Sequence, residues 1–344
     1  MFAITRVLAA LIAGNTVVLK PGQQTPLSAL AFGDIARHVL PAGVLNIVTG
    51  GPDCGDALVT HPAIKRISFT GSVPTGMRIQ QRAATARVKH VSLELGGKNP
   101  MIVFPDVYLE AAVNGAITGM NFGTSAGQSC GSSSRVLIHE DVYEDFLERL
   151  AVKLEAMKVA PAYSEGVDIG PVVSVEHHGR IMGFVRSGHD QGARLITGGD
   201  RPRSGSVPAA GFYIQPTLYA DVTADMDIAR HEIFGPVIAA ASWSDYDDVI
   251  RRANDVEFGL TASVRTNDLV LAHKTADALE AGYVWINDHG PHYWGMPFGG
   301  MKNSGTGREE SIEEYESYLE TKAVHAIMHR DPQTALESLR RANS

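Results

Sequence analysis

Only two cysteines, Cys54 and Cys130, occur in the 344 residues. Two thiols in unlike settings cannot make a disulfide framework, and they suit a reducing cytosol, so a cytoplasmic location is expected. No run is long and apolar enough to span a bilayer, so no membrane partner is expected. Lys and Arg number 30 against 38 Asp and Glu, a net charge of −8, and no basic run offsets it; a nucleic-acid partner is excluded on that ground. Metal-ligand spacing is missing too, although there are 13 histidines. His139-Glu140 and His231-Glu232 each lack the second His of a zinc helix, and the adjacent His177 and His178 would point in different directions on a helix. No metal site is expected. Internal repeats and low-complexity tracts are absent as well.

What is present is the composition of a soluble globular protein, 44% hydrophobic and 20% charged, with length enough for two domains. Met1 to Ala13 is apolar, but its only charge, Arg6, lies inside the apolar stretch rather than ahead of it, unlike a leader peptide. Ile4, Val7, Leu8, Leu11 and Ile12 recur at helical spacing; Gly14-Asn15 end that helix, and Thr16 to Leu19 reads as a buried strand. Pro26 to Val39 predicts a helix, Val44 to Val48 a strand, Asp53 to Thr60 a short helix holding Cys54. Ile67 to Phe69 predicts a strand, followed by a helix from Thr70-Gly71-Ser72 to about Ala86 and a strand over Val88 to Leu93. This alternation is the rhythm of a mostly parallel sheet with helices on both faces.

From Asn99 the pattern restarts. Strands are predicted at Met101 to Phe104, Arg135 to His139, Val237 to Ala240, Ala262 to Val264 and Tyr283 to Ile286. Helices are predicted at Leu109 to Met120 and Val142 to Lys158. Asp200 to Gly211, rich in Gly, Pro, Ser and Arg, predicts an exposed loop. A boundary near Gly97 divides residues 1–97 from a second domain over 98–307. Residues 308–344 form a C-terminal segment, with an extended arm at about 319–328 and a polar, frayed tail from Arg330.

Two short runs, with their key residues 36 positions apart, carry the chemistry. Asn121-Phe122-Gly123-Thr124-Ser125-Ala126-Gly127-Gln128-Ser129-Cys130 sets a thiol among small residues. Leu93-Glu94-Leu95-Gly96-Gly97-Lys98 sets a carboxylate at the end of an apolar strand. A thiol attacks as thiolate, and thiolate forms where donors or positive potential favour it. Gly127, Ser129, Gly131 and Ser132 leave the backbone around Cys130 unobstructed, so its N–H groups can face both the sulfur and an oxyanion beside it. Cys54 reads as a small buried hydrophobe.

Both runs resemble the active-site signatures of the aldehyde dehydrogenase superfamily. The resemblance extends from Met1 to about Met328 and takes in Gly14-Asn15-Thr16-Val17-Val18-Leu19-Lys20-Pro21, Phe69-Thr70-Gly71-Ser72, Glu232-Ile233-Phe234-Gly235-Pro236 and Pro297-Phe298-Gly299-Gly300-Met301-Lys302-Asn303-Ser304-Gly305, all in family order. It implies an α/β fold of two Rossmann-like parallel-sheet domains, one for cofactor and one for catalysis, with a C-terminal oligomerisation strand. It implies that Cys130 attacks an aldehyde to give a thiohemiacetal, that hydride passes to NAD or NADP, and that Glu94 activates the water that hydrolyses the thioester. Glu232 then holds the nicotinamide ribose, Phe234 packs beside the ring, Gly71 and Ser72 open a helix toward the pyrophosphate, and Leu95 joins the cofactor contacts. Lys20 contacts the adenosine ribose. Gln23 stands where many members carry a glutamate, so NADP is expected to be tolerated alongside NAD. The presence of Glu94 favours release of the free acid over transfer to coenzyme A.

The resemblance begins inside the family pattern. Members carry a further N-terminal portion ending in Pro-Trp-Asn, whose Asn donates to the oxyanion, and no residue here matches it. The sequence thus reads as an N-terminally truncated member, and its assembly as the dimer or tetramer usual in the family. A second reading is a non-catalytic member that binds nucleotide or a partner subunit. A third, a cysteine hydrolase, needs a His beside the thiol, and sequence alone selects none. The substrate is a small-molecule aldehyde. Tyr293 and Trp294 either stack on an aromatic aldehyde, cage an amino-aldehyde cation, or simply pack; Asp288 either attracts a cation or caps a turn.

Overall fold

The computed structural model describes residues 2–202, 207–328 and 332–343. The first part of the chain alternates helices α1 (Phe2–Ile12), α2 (Leu27–Ala36), α3 (Pro52–Thr60) and α4 (Val73–Ala86) with strands β1 (Val17–Leu19), β2 (Leu45–Ile47), β3 (Arg66–Thr70) and β4 (His90–Glu94). Then come β5 (Pro100–Val103), α5 (Leu109–Gly119), α6 (Phe122–Ser125), β6 (Arg135–His139), α7 (Tyr143–Ala156), α8 (Val175–Asp190), β7 (Arg194–Thr197), β8 (Thr217–Ala220), α9 (Asp227–Arg230) and β9 (Val237–Trp243). The remainder comprises α10 (Tyr246–Asn254), β10 (Phe258–Gly259), β11 (Thr261–Arg265), α11 (Leu269–Ala278), β12 (Tyr283–Ile286), β13 (Met301–Lys302), β14 (Gly305–Thr306), α12 (Ile312–Glu316) and α13 (Pro332–Ala342).

The main sheet has seven strands in the order β12-β11-β5-β6-β9-β8-β7, parallel except for the β7–β8 pair. Every residue of β5 is buried, as a strand covered on both faces requires. Met101 and Val103 face α5 and α7 through Val113, Ala116, Phe146 and Leu150. Ile102 and Val264 face the opposite way, toward Val249 and Ala253 of α10 and Leu279. Helices leave the sheet on both sides, so its strand ends open onto loops, which is where this architecture places ligands.

Residues 2–94 form smaller sheets. β1 pairs in parallel with β2. β3 pairs in parallel with β4, and β14 returns from far along the chain to pair antiparallel with β4, setting Gly305 opposite Glu94. The strand that bears the carboxylate is therefore held on one side by its neighbour in sequence and on the other by the Gly299-to-Gly305 region. Arg6 on α1 makes a two-pronged ion pair with Glu309, at 2.5 and 2.9 Å, tying the first helix to the same region.

The predicted strands and the long helices α2, α4, α5 and α7 are found within a few residues of their expected bounds. No element is predicted between Lys158 and Val237 apart from the loop Asp200 to Gly211, part of which lies outside the described residues. The structure has α8, β7, β8 and α9 there. α8 carries Ile181 and Val185 on one buried face and is capped by Ser174, whose hydroxyl accepts the His177 N–H. The frayed tail is corrected: residues 332–342 are helical, because Leu336, Glu337, Leu339, Arg340 and Arg341 are good helix formers and the arginines sit at the favourable C-terminal end. Glu320 to Met328 is exposed, has no regular secondary structure and is paired with no strand among the described residues. No helix among the described residues is long and apolar enough to cross a membrane.

Candidate active site

β4 delivers Glu94 at its last residue. The Glu94 carbonyl accepts from the Gly71 N–H at 3.1 Å, and the Leu95 N–H donates to the Ser304 carbonyl at 2.8 Å, so the backbone is fixed on both sides. Two glycines follow because nothing larger fits. A Cβ on Gly96 would stand 2.6 Å from a Glu232 carboxylate oxygen, and one on Gly97 only 2.3 Å from the Cys130 carbonyl oxygen. The Gly97 N–H donates to Glu232 Oε1 at 3.0 Å. The Gly96-Gly97 step thus brings the carboxylate strand, the cysteine loop and Glu232 to one place.

The cysteine loop is shaped by unusual backbone. Asn121 and Ala126 adopt left-handed conformations, with φ of 55° and 53°, and Gly127 follows at 74°. Gly127 also lies against the Gly235 carbonyl, where a Cβ would approach to 2.5 Å. Cys130 itself packs on the cluster Leu260, Tyr283, Trp285 and Phe298. Burial, then the charges of Glu232 and Glu94, push its thiol up to about 12, while the N–H groups of Cys130 and Gly131 work in the other direction. Those opposing amides are the donors expected from the small residues around the thiol. The carboxylates that act on it show that Glu94 and Glu232 lie within electrostatic reach of the sulfur.

Glu94 is 4% exposed, and neither carboxyl oxygen has a hydrogen-bond partner. Burial and then the neighbouring Glu309 raise it to about 9, against the pull of Arg6 and Arg308. It is therefore a neutral acid at pH 7 in the protein alone. Glu232 is raised as well, by burial, with the Gly97 N–H pulling it down. Lys98 is completely buried with an unpartnered Nζ, and burial lowers it to about 7.

Of the remaining residues predicted at the site, Lys20 and Gln23 follow β1, Gly71 and Ser72 follow β3, Leu95 follows β4 and Phe234 follows α9. Lys20 follows β1, with Nζ 3.3 Å from the Pro21 carbonyl. The Gln23 amide oxygen lies 3.7 Å from where a Cβ on Gly51 would stand, and the Lys20 stem 3.8 Å from that of Gly55, so both meet the start of α3. Ser72 opens the 14-residue α4 without capping it; its hydroxyl bonds to Thr75 Oγ1 at 2.9 Å. Gly71 packs on the Phe69 ring, which a Cβ would strike at 2.5 Å. Leu95 is buried beneath Gly76 of α4. Phe234 has a left-handed φ of 59°, and its carbonyl bonds to His177 Nε2 at 2.7 Å.

Four participants escape sequence reading. Asn99 clamps the cysteine loop, with Nδ2 2.7 Å from the Cys130 carbonyl. Glu309 and Arg6 bear on Glu94; the one signal for them is a lone arginine inside an apolar helix stripe. His289 is buried behind the loop, with Nδ1 3.0 Å from Ser133 Oγ. Burial lowers it to about 4, while a bond to the Gly131 backbone opposes that shift. A neutral ring already engaged with Ser133 and Gly131 is not the base that a cysteine hydrolase needs. Beyond it, His292 bonds to both Glu310 oxygens at 3.0 and 3.1 Å and stacks on Phe298. Asp288 caps the His289 N–H at 2.8 Å, whereas Tyr293 and Trp294 are 55% and 76% exposed rather than packed.

A nicotinamide dinucleotide suits this donor set. A long helix with an uncapped first turn offers free N–H groups and a favourable dipole to a pyrophosphate. Two buried carboxyls around the thiol suit a cationic ring, and the Glu94 carboxyl has both oxygens unclaimed.

The model of the aldehyde dehydrogenase family matches residues 1–324. A betaine aldehyde dehydrogenase of Rhizobium leguminosarum is 45% identical over 320 residues, covering 93% of this chain and 65% of that protein. The aldehyde dehydrogenase tropH of Talaromyces stipitatus is 42% identical over 328 residues, covering 94% and 63%. Among solved structures, an NAD-dependent aldehyde dehydrogenase from Sinorhizobium meliloti superposes with a TM-score of 0.91 at 39% identity, over 96% of this chain and 65% of that one. An NAD+ complex of the Bacillus cereus enzyme gives 0.87 at 39%, over 92% and 63%. The chain thus spans just under two thirds of the length of these relatives. On sequence and structure together, it belongs to the aldehyde dehydrogenase family.

Proposed function

We propose that the chain carries the oxidation of an aldehyde to a carboxylic acid with NAD or NADP, with Cys130 as nucleophile and Glu94 as general base. The observation that carries this is the meeting of Cys130, Glu94 and Glu232 around the Gly96-Gly97 step. Cys130 Sγ attacks the aldehyde carbon and gives a thiohemiacetal. The N–H groups of Cys130 and Gly131 lie on the sulfur side and favour its anionic form. Lys20, Gln23, Ser72, Glu232 and Phe234 would hold a nicotinamide dinucleotide, which would accept the hydride lost from the thiohemiacetal carbon as it becomes a thioester. Glu94 then takes a proton from the water that attacks the thioester, and the acid leaves with Cys130 restored. Glu94, held neutral by burial, must first lose its proton, and a cationic ring nearby makes that easier.

The relatives named betaine aldehyde dehydrogenases support a cationic amino-aldehyde as the substrate. So do the exposed rings of Tyr293 and Trp294 on the loop that follows Asp288, since aromatic faces attract quaternary ammonium groups. Glu320 to Met328, exposed and unpaired among the described residues, supports a dimer or tetramer in which this arm pairs with another subunit.

The test is turnover of betaine aldehyde against a neutral aldehyde of equal length, followed as NADH formation and acid release. Cationic preference and complete loss in Cys130→Ala are expected. Equal rates would remove the substrate assignment, and activity surviving in Cys130→Ala would remove the mechanism. Because the Gln23 amide does not repel a 2′-phosphate, NADP should serve within about a hundredfold of NAD.

A further inference from the structure

Asn99 is the residue that joins the carboxylate strand, the cysteine loop and the main sheet. It is 1% exposed and immediately precedes β5. Its amide is fully engaged. Nδ2 donates to the Cys130 carbonyl at 2.7 Å and to the Ser132 carbonyl at 2.9 Å. Oδ1 accepts from the Thr261 N–H, at the start of β11, at 3.1 Å. Two donors and one acceptor at a single buried point are what an amide provides; a carboxylate of the same shape would set two acceptors against two carbonyls.

The bond to the Cys130 carbonyl has a directional consequence. The peptide joining Cys130 to Gly131 is planar and trans, so its C=O and N–H point in opposite directions. Holding the oxygen toward Asn99 turns the Gly131 N–H away from Asn99. On that side it meets the Ser129 hydroxyl at 3.3 Å and the Cys130 sulfur. Gly97 makes the clamp possible, since any side chain there would displace both the Cys130 carbonyl and the Asn99 amide.

We propose that Asn99 is a positioning residue of the reaction, holding the Cys130–Gly131 peptide so that the Gly131 N–H is presented to the nucleophilic sulfur. It acts through the backbone and touches no reacting atom. The inference builds on the assignment of Cys130 as nucleophile, and its test needs neither aldehyde nor dinucleotide.

The experiment is the pH dependence of Cys130 alkylation by iodoacetamide in the full chain, with Cys54→Ser as the common background and the melting temperature recorded for each variant. Asn99→Leu removes both donors; Asn99→Ser keeps a hydroxyl. Val249→Ala, in α10 on the far face of the sheet, serves as a control that weakens packing without touching the loop. In Asn99→Leu the alkylation midpoint should move upward and the rate at fixed pH fall by about tenfold, the equivalent of one unit. Asn99→Ser should fall between that variant and the parent. Val249→Ala should melt earlier with its alkylation profile unchanged. Profiles within twofold of the parent in either folded Asn99 variant would overturn the proposal. So would failure of both to fold, which would make Asn99 a residue of the fold alone, and so would an equal shift in Val249→Ala. Absence of aldehyde oxidation in the parent, with the alkylation shift intact, would count against the proposed function and leave the role of Asn99 standing.

Discussion

At the scale of single residues, the site sets side by side a thiol and a carboxyl that both hold their protons. Burial and two carboxylates raise the Cys130 thiol to about 12, and burial raises Glu94 to about 9. Glu94 holds its proton in the folded protein far above the pH at which it loses it in the unfolded chain. Folding is therefore favoured by this group at low pH, and the contribution is lost as pH rises from about 4.5 toward 9. Replacement by Gln removes the ionisation. Glu94→Gln should flatten the decline in melting temperature between pH 6 and 9 that the parent shows, a few kcal/mol in origin. In the same variant, acid release should fall by about 10² to 10⁴ while the first acylation of Cys130 persists as a burst of NADH. The parent's rate of thioester hydrolysis should climb with pH up to about 9, as the base form of Glu94 appears. A flat rate profile, or a burst-free Glu94→Gln, would assign the base elsewhere. Cys130 and Glu94 stand out in the sequence as the proposed nucleophile and base because each lies in a run with few other uses. Asn99 was not, because an Asn before a Pro-led strand looks like an ordinary turn residue until its three partners, from 31 to 162 positions away, are known.

At the scale of elements, the periodic pattern located the buried strands of the main sheet and its longer helices, since both faces of that sheet are covered and the apolar runs are continuous. It missed α8, where apolar residues are diluted by His, Arg and Gly, and β7 and β8, which at four residues each are too short to show a period. It also gave no sign that β14, two residues long, completes the sheet of β4, because such pairing has no local signature. That pairing and the Gly96-Gly97 step set how closely the carboxylate approaches the thiol. Gly97→Ala adds a methyl 2.3 Å from the Cys130 carbonyl and 2.6 Å from the Asn99 amide oxygen, and backbone must move to admit it. The expected result is a loss of several kcal/mol in stability together with at least ~10²-fold lower turnover. Gly179→Ala, on α8 with open space at its Cβ position, should be neutral or slightly stabilising in the same melting and activity assays.

At the scale of the whole molecule, the first helix meets the segment that follows β14 beside the candidate active site. Arg6, 303 positions before Glu309, binds both of its carboxylate oxygens, and the pair is nearly excluded from solvent. Around it stand Glu94, Glu310 and Glu314, all buried, with His292 bonded to Glu310 and the Glu310 N–H bonded to Glu314. Four carboxyl groups thus share Arg6, Arg308 and one imidazole, and Arg6 is the cation that bonds directly to one of them. Arg6→Ala strands Glu309 in a low-dielectric setting and should destabilise the fold by roughly 3–5 kcal/mol. It should also displace the base form of Glu94 to still higher pH, since Arg6 is the largest downward influence on that group. Adding Glu309→Gln to Arg6→Ala removes the stranded charge and one of the groups that raises Glu94. The double variant should recover most of the lost melting temperature and bring the pH profile of hydrolysis back toward the parent. Equal damage in the single and double variants would mean that the ion pair only packs α1 against the C-terminal region. Recovery would mean that the electrostatic balance around Glu94 is set by the first helix of the chain.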